Sequence, residues 1–86
     1  MKHAGEAALD DLEPLLAGIR RIAPHLSETK RGVFYRGARA ALHFHEDKAG
    51  LFADWRAAKD DKDFQRSRVT TAAERAAFLK RLKAAP

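Results

Sequence analysis

Residues 32–56 read GVFYRGARAALHFHEDKAGLFADWR, and the period of this stretch decides the fold. Apolar and polar residues alternate at a spacing of two, the mark of half-buried strands rather than of a helix. Gly37-Ala38 interrupts the first alternation, and a glycine at the first central position is what a two-residue type II′ hairpin turn needs. That turn pairs Arg36 with Arg39, Tyr35 with Ala40 and Val33 with Leu42, so that Val33, Tyr35, Ala40, Leu42 and Phe44 share one face. A four-residue loop at 46–49 then pairs His45 with Gly50, Phe44 with Leu51 and Leu42 with Ala53. Leu51, Ala53 and Trp55 join the apolar face, while His43, His45, Phe52, Asp54 and Arg56 gather on the other. A five-residue loop would pair His45 with Leu51 and mix the two sets, which favours the shorter loop.

On either side the period changes to that of a helix. Over residues 6–23, Leu9, Leu12, Leu15, Leu16, Ile19 and Ile22 recur at steps of three and four, an amphipathic pattern. Proline is comfortable only in a first turn, so Pro14 places the regular helix from about Asp11 onward. Pro24 ends it, and residues 25–31 read as a connecting loop. Residues 57–63, AAKDDKD, have turn-like composition. Residues 64–69 suggest a short fourth strand at an edge, with Arg66 and Arg68 discouraging edge-to-edge pairing. Thr71 and Glu74 fit a capping box for a closing helix over 72–84, with Ala76, Phe78, Leu79 and Leu82 inward. The expected fold is a single α+β domain, residues 1–86. It is a two-layer sandwich of an N-terminal helix, an antiparallel meander of three to four strands and a C-terminal helix.

Composition narrows the function classes. The 86 residues contain no cysteine, which removes disulfides and thiolate metal sites. No apolar run approaches the roughly 20 residues of a membrane span. The acidic residues near the N-terminus do not suit a signal peptide, so a cytoplasmic location and no membrane partner are expected. Seventeen Lys and Arg against twelve Asp and Glu give a net charge of +5. That balance favours an acidic protein or a nucleic acid, bound without sequence preference, as partner. The core is thin for a chain of this size. Homodimerisation is one remedy, with Phe34 and Phe52 on the polar sheet face as the candidates to carry it.

The segment GVFYRGARAALHFHEDKAGLFADWR, with the tail VTTAAERAAFLKRL, resembles a group of short uncharacterised bacterial proteins. In that group a FYR-type strand leads to an LHFHED strand and then to a GLFAD(V/W)R strand. The resemblance covers residues 30 to 83 and implies an α+β fold and a bacterial, cytoplasmic origin. It implies no activity, and no catalytic residue is carried over from it.

The candidate chemistry lies on the polar face of the meander. His43 and His45 stand on one side of a strand, about 6.5–7 Å apart along it. Asp54 approaches His43 across the hairpin, and Glu46 or Asp47 approaches His45. Such nitrogen and oxygen donors suit zinc or a non-haem metal, although the short HxH pattern is equally that of solvent-facing histidines paired with carboxylates. In an enzyme, His43 or His45 would be the general base and Asp54 its orienting carboxylate, with Arg36 or Arg56 clamping a phosphate or RNA substrate. No nucleophile motif, glycine-rich phosphate loop or pair of catalytic carboxylates accompanies them. The reading preferred from sequence is a non-enzymatic binding domain without a cofactor, whose His/Arg/Asp sheet face holds an acidic partner through Arg36, Arg39 and Arg56. Tyr35 and Trp55 are assigned to the core.

Overall fold

The computed structural model describes residues 1–85. In chain order these form β1 (Lys2–His3), α1 (Glu6–Ile22), β2 (Ser27–Lys30), β3 (Val33–Arg36), β4 (Arg39–Asp47), β5 (Gly50–Trp55), β6 (Gln65–Arg68) and α2 (Ala72–Ala84). Neighbouring strands run β2-β3-β4-β5-β6, all antiparallel, with β1 added alongside β4. The two helices pack on one face of this meander, giving the α+β sandwich expected from the sequence. The core joins Leu9, Leu12, Leu16 and Ile19 of α1 to Phe34, Leu42, Phe44 and Ala53 of the sheet. Phe78 of α2 meets Trp55 edge to face at 5.2 Å.

β2 was expected as part of a connecting loop and is a correction to the sequence reading, and β1 is a strand that the sequence reading did not foresee. Of β2 only Glu28 is even half-buried, so this edge strand carries no apolar alternation to announce it. β1 is two residues long and places Lys2 opposite Glu46 and His3 opposite His45. The Gly5 amide donates to Glu46 Oε2 at 2.7 Å. α1 begins at Glu6 and passes through Pro14 rather than starting after it. Pro14 faces solvent, so the carbonyl it leaves without an N–H partner lies on the wet side. The buried leucines before and after it supply the packing that outweighs the cost.

Both hairpins hold, with different adjustments. At the first, Arg36 pairs with Arg39 and Tyr35 with Ala40, as the turn requires, and Gly37 has φ 61°. Phe34 rather than Val33 then pairs with Leu42, because Ala41 is an extra residue on β4. This bulge inverts the faces of β3. Phe34 is 1% exposed in the core, whereas Val33 and Tyr35 are half-buried. Phe34 is therefore not a dimer-contact candidate, and Tyr35 is not a core residue. At the second hairpin the turn contains two residues, Lys48 and Ala49, not four. Asp47 pairs with Gly50, Glu46 with Leu51, Phe44 with Ala53 and His43 with Asp54. The Asp47 side chain accepts from the Ala49 amide at 2.8 Å, the local bond that tightens such a turn. The shift is an even number of residues, so the faces stay as expected.

α2 follows its predicted limits, with the Thr71–Glu74 capping box formed in both directions. Only Phe78 of its predicted stripe is fully buried. Leu79 and Leu82 are partly buried, and Ala76 is exposed.

Candidate functional site

The chemistry-bearing side chains fall into two clusters, one at each end of β4. The first lies on the face away from the helices. His43 and Asp54 are direct cross-strand partners, and His45 follows two residues along β4 on the same side. His45 Nδ1 lies 3.1 Å and His43 Nε2 3.8 Å from Asp54 Oδ2. Asp54 is 6% exposed and is held from the next strand by Arg66. Arg66 Nε donates to Oδ1 and Nη2 to Oδ2, each at 2.7 Å. This fork, offset by burial, holds the Asp54 carboxyl below the ordinary range. Burial comes first in lowering both imidazoles below their usual value, with His45 adding to the effect on His43. Both rings are thus kept neutral near pH 7, where they can accept a proton or a metal ion.

His45 Nδ1 is buried and yet makes no hydrogen bond. Its distance to Asp54 is that of a hydrogen bond, but its direction is not. A third histidine completes the cluster. His3, set opposite His45 by β1, has its ring 4.5 Å from that of His45 and 5.6 Å from that of His43. The only sequence signal for its place was its residue type, since a two-residue strand leaves no periodicity.

The second cluster surrounds the Gly37-Ala38 turn. Two adjoining concavities of about 550 and 420 Å³ open there. Arg36, Lys59 and Asp60 line both; His25 lines the first, and Arg39 and Arg56 line the second. Arg39 is fixed by donating to the Lys59 and Asp61 carbonyls at 2.6 and 2.9 Å. Arg56 donates to the Ala40 carbonyl at 2.8 Å and stacks its guanidinium 4.1 Å from the centre of the Phe64 ring. The structure thus brings Arg36, Arg39 and Arg56 to adjoining concavities, but only Arg56 keeps to the histidine face. The β3 inversion puts Arg36 on the side of Phe34, and its partner Arg39 goes with it. Phe64 links the clusters, touching Arg56 on one side and the His43 ring, at 4.7 Å, on the other.

The pairing of the arginines separates the two ends. Arg20, Arg31, Arg66, Arg68 and Arg75 each meet at least one carboxylate. Among the described residues Arg36, Arg39, Arg56 and Lys59 meet none within 4.0 Å. Among the described residues no helix is long and apolar enough to cross a membrane. No protein-family model matches the chain, and neither a curated protein nor a solved structure matches it.

Proposed function

We propose that this protein is a small non-catalytic binding domain that takes an anionic, phosphate-bearing partner between Arg36, Arg39, Arg56 and Lys59. One observation carries this reading: four cations converge on adjoining concavities whose lining includes one acidic residue, Asp60, and among the described residues none of the four has a carboxylate within 4.0 Å. Like charges held together raise the energy of the empty site, and a bound anion removes that cost. Arginine suits phosphate because its planar fork bonds two oxygens at once. Arg39 and Arg56 are positioned by backbone carbonyls, which reduces the ordering needed on binding.

The test is calorimetric titration with inorganic pyrophosphate and with a short single-stranded oligonucleotide, beside an acidic peptide of equal charge. The two phosphate ligands are expected to bind, with affinity falling as salt rises. Arg36→Gln is expected to weaken binding about tenfold and to flatten the salt slope by about one phosphate contact. Binding insensitive to salt, or undiminished in that variant, overturns the proposal; so does a preference for the peptide.

A second reading, an acid–base enzyme acting on an anionic substrate, draws support from the approach of neutral His45 to Asp54. Turnover of a phosphodiester that disappears in His43→Gln/His45→Gln would favour it over the binding domain.

A further inference from the structure

We infer that His43, His45 and Asp54 hold one first-row divalent metal ion, for which zinc is the natural probe, and that His3 closes the site as a fourth ligand. This inference does not rest on the anionic-ligand reading, which concerns the other end of β4.

The geometry comes first. With bonds of 2.0–2.1 Å, a tetrahedral centre sets neighbouring donor atoms about 3.3 Å apart. The two imidazole nitrogens stand 3.1 and 3.8 Å from Asp54 Oδ2, on either side of that separation. One ligand atom from each of the three residues lies within 4.8 Å of the others. Imidazoles bound to one such ion have ring centres about 5.2 Å apart. The rings of His43 and His45 are at 4.9 Å, those of His3 and His43 at 5.6 Å, and those of His3 and His45 at 4.5 Å.

The second observation is the buried Nδ1 of His45, which has no hydrogen bond although a carboxylate oxygen lies 3.1 Å away. A hydrogen bond needs that oxygen on the axis of the nitrogen. An ion shared by the two needs it off the axis, as found here. Burying a polar nitrogen without a partner costs free energy, and an ion would satisfy it.

The supporting groups are also in place. Arg66 takes one lone pair from each Asp54 oxygen and fixes the plane of the carboxylate. A ligating carboxylate is ordinarily held in this way by an outer hydrogen bond, and each oxygen keeps a second lone pair. Two imidazoles and a carboxylate leave coordination positions open. His3 is exposed, and its backbone is fixed opposite His45, so rotation about its side-chain bonds is enough to bring a nitrogen to the ion. Metal binding would then fasten β1 to the sheet.

The test uses tag-free wild-type protein treated with chelator, titrated with Zn²⁺ and followed by imidazole nitrogen NMR. The resonances of His3, His43 and His45 are expected to shift together and to stop at one equivalent. His25, in the concavity at the other end, is the internal control and should stay still. Absence of any shift, or His25 moving in parallel beyond one equivalent, overturns the site. His43→Ala/His45→Ala should lose at least a hundredfold in affinity, with melting in chelator confirming that it folds. His3→Ala should keep the stoichiometry and bind about tenfold more weakly; unchanged affinity removes His3 from the ligand set. Arg36→Gln should bind zinc like the wild type, which separates failure here from failure of the anion site.

Discussion

The two ends of β4 hold similar residue types in opposite electrostatic conditions. At the histidine end Asp54 is buried and its charge is answered by the Arg66 fork, with neutral imidazoles completing the cluster. At the turn end Arg36, Arg39, Arg56 and Lys59 line open space with Asp60, none of the four has a carboxylate within 4.0 Å among the described residues, and Arg39 and Arg56 are held by backbone carbonyls. The first arrangement is complete in charge and short of a hydrogen-bond partner at one nitrogen. The second is short of an anion. Removing a charge should therefore destabilise one end and relax the other.

The largest effect is expected from Arg66→Ala, which strands a buried carboxylate. In metal-free protein its melting temperature should fall further than that of Asp54→Asn, which leaves a half-exposed guanidinium free to turn to water. Asp54→Asn should cost about 2 kcal/mol, less than two buried charged hydrogen bonds because Arg66 is half in solvent. The double variant should be no worse than Arg66→Ala alone, since the second change removes the stranded charge. The penalty for Arg66→Ala should also be smaller at pH 6 than at pH 8. Without Arg66 the carboxylate raises the pKa of His43 and His45 in the folded state, so protonation below that value restores an ion pair and with it some stability. Chemical denaturation of the four proteins at the two pH values decides this. Equal losses for the two single variants would show that Asp54 is not effectively buried.

Phe64→Ala should have an intermediate effect, because Phe64 touches both ends. It is half-buried, and its loss should cost about 1–2 kcal/mol, including about 0.5–1 kcal/mol for the stacked Arg56. The sharper readout is transmission. If the ends are coupled through Phe64, its removal should change both the pyrophosphate affinity and the His43 ring resonance. Movement of only one would make the two ends independent sites on a shared strand.

The same contrast shows what the sequence disclosed. The histidine end was legible because face assignment depends on parity. The 46–49 loop was expected two residues too long, and an even shift left His43, His45 and Asp54 together. The turn end was harder. Gly37 identified the turn and two of its pairs, but one extra residue at Ala41 is an odd shift, and it turned Phe34 and Arg36 to the helix side. Two consecutive alanines give no pattern to betray a bulge. His3 was out of reach for a different reason: its strand is held by pairing with Glu46 and His45, contacts more than forty positions away that local periodicity does not encode.

Arg36→Gln is the smallest and most discriminating of these changes in stability. Arg36 makes no ion pair among the described residues and faces Arg39 directly across the turn. Its removal breaks no side-chain hydrogen bond or ion pair among the described residues and relieves a like-charge pair, so stability should change by no more than about 0.5 kcal/mol and in the favourable direction. The gain should be measurable in low salt and vanish near 1 M salt, where the screening length is about 3 Å. Thermal melting across a salt series checks both sign and screening. A loss of stability that salt does not alter would mean that Arg36 is held by packing of its aliphatic stem rather than opposed by charge. The turn end would then resemble the histidine end, and the argument for a missing anion would fall with the asymmetry that supports it.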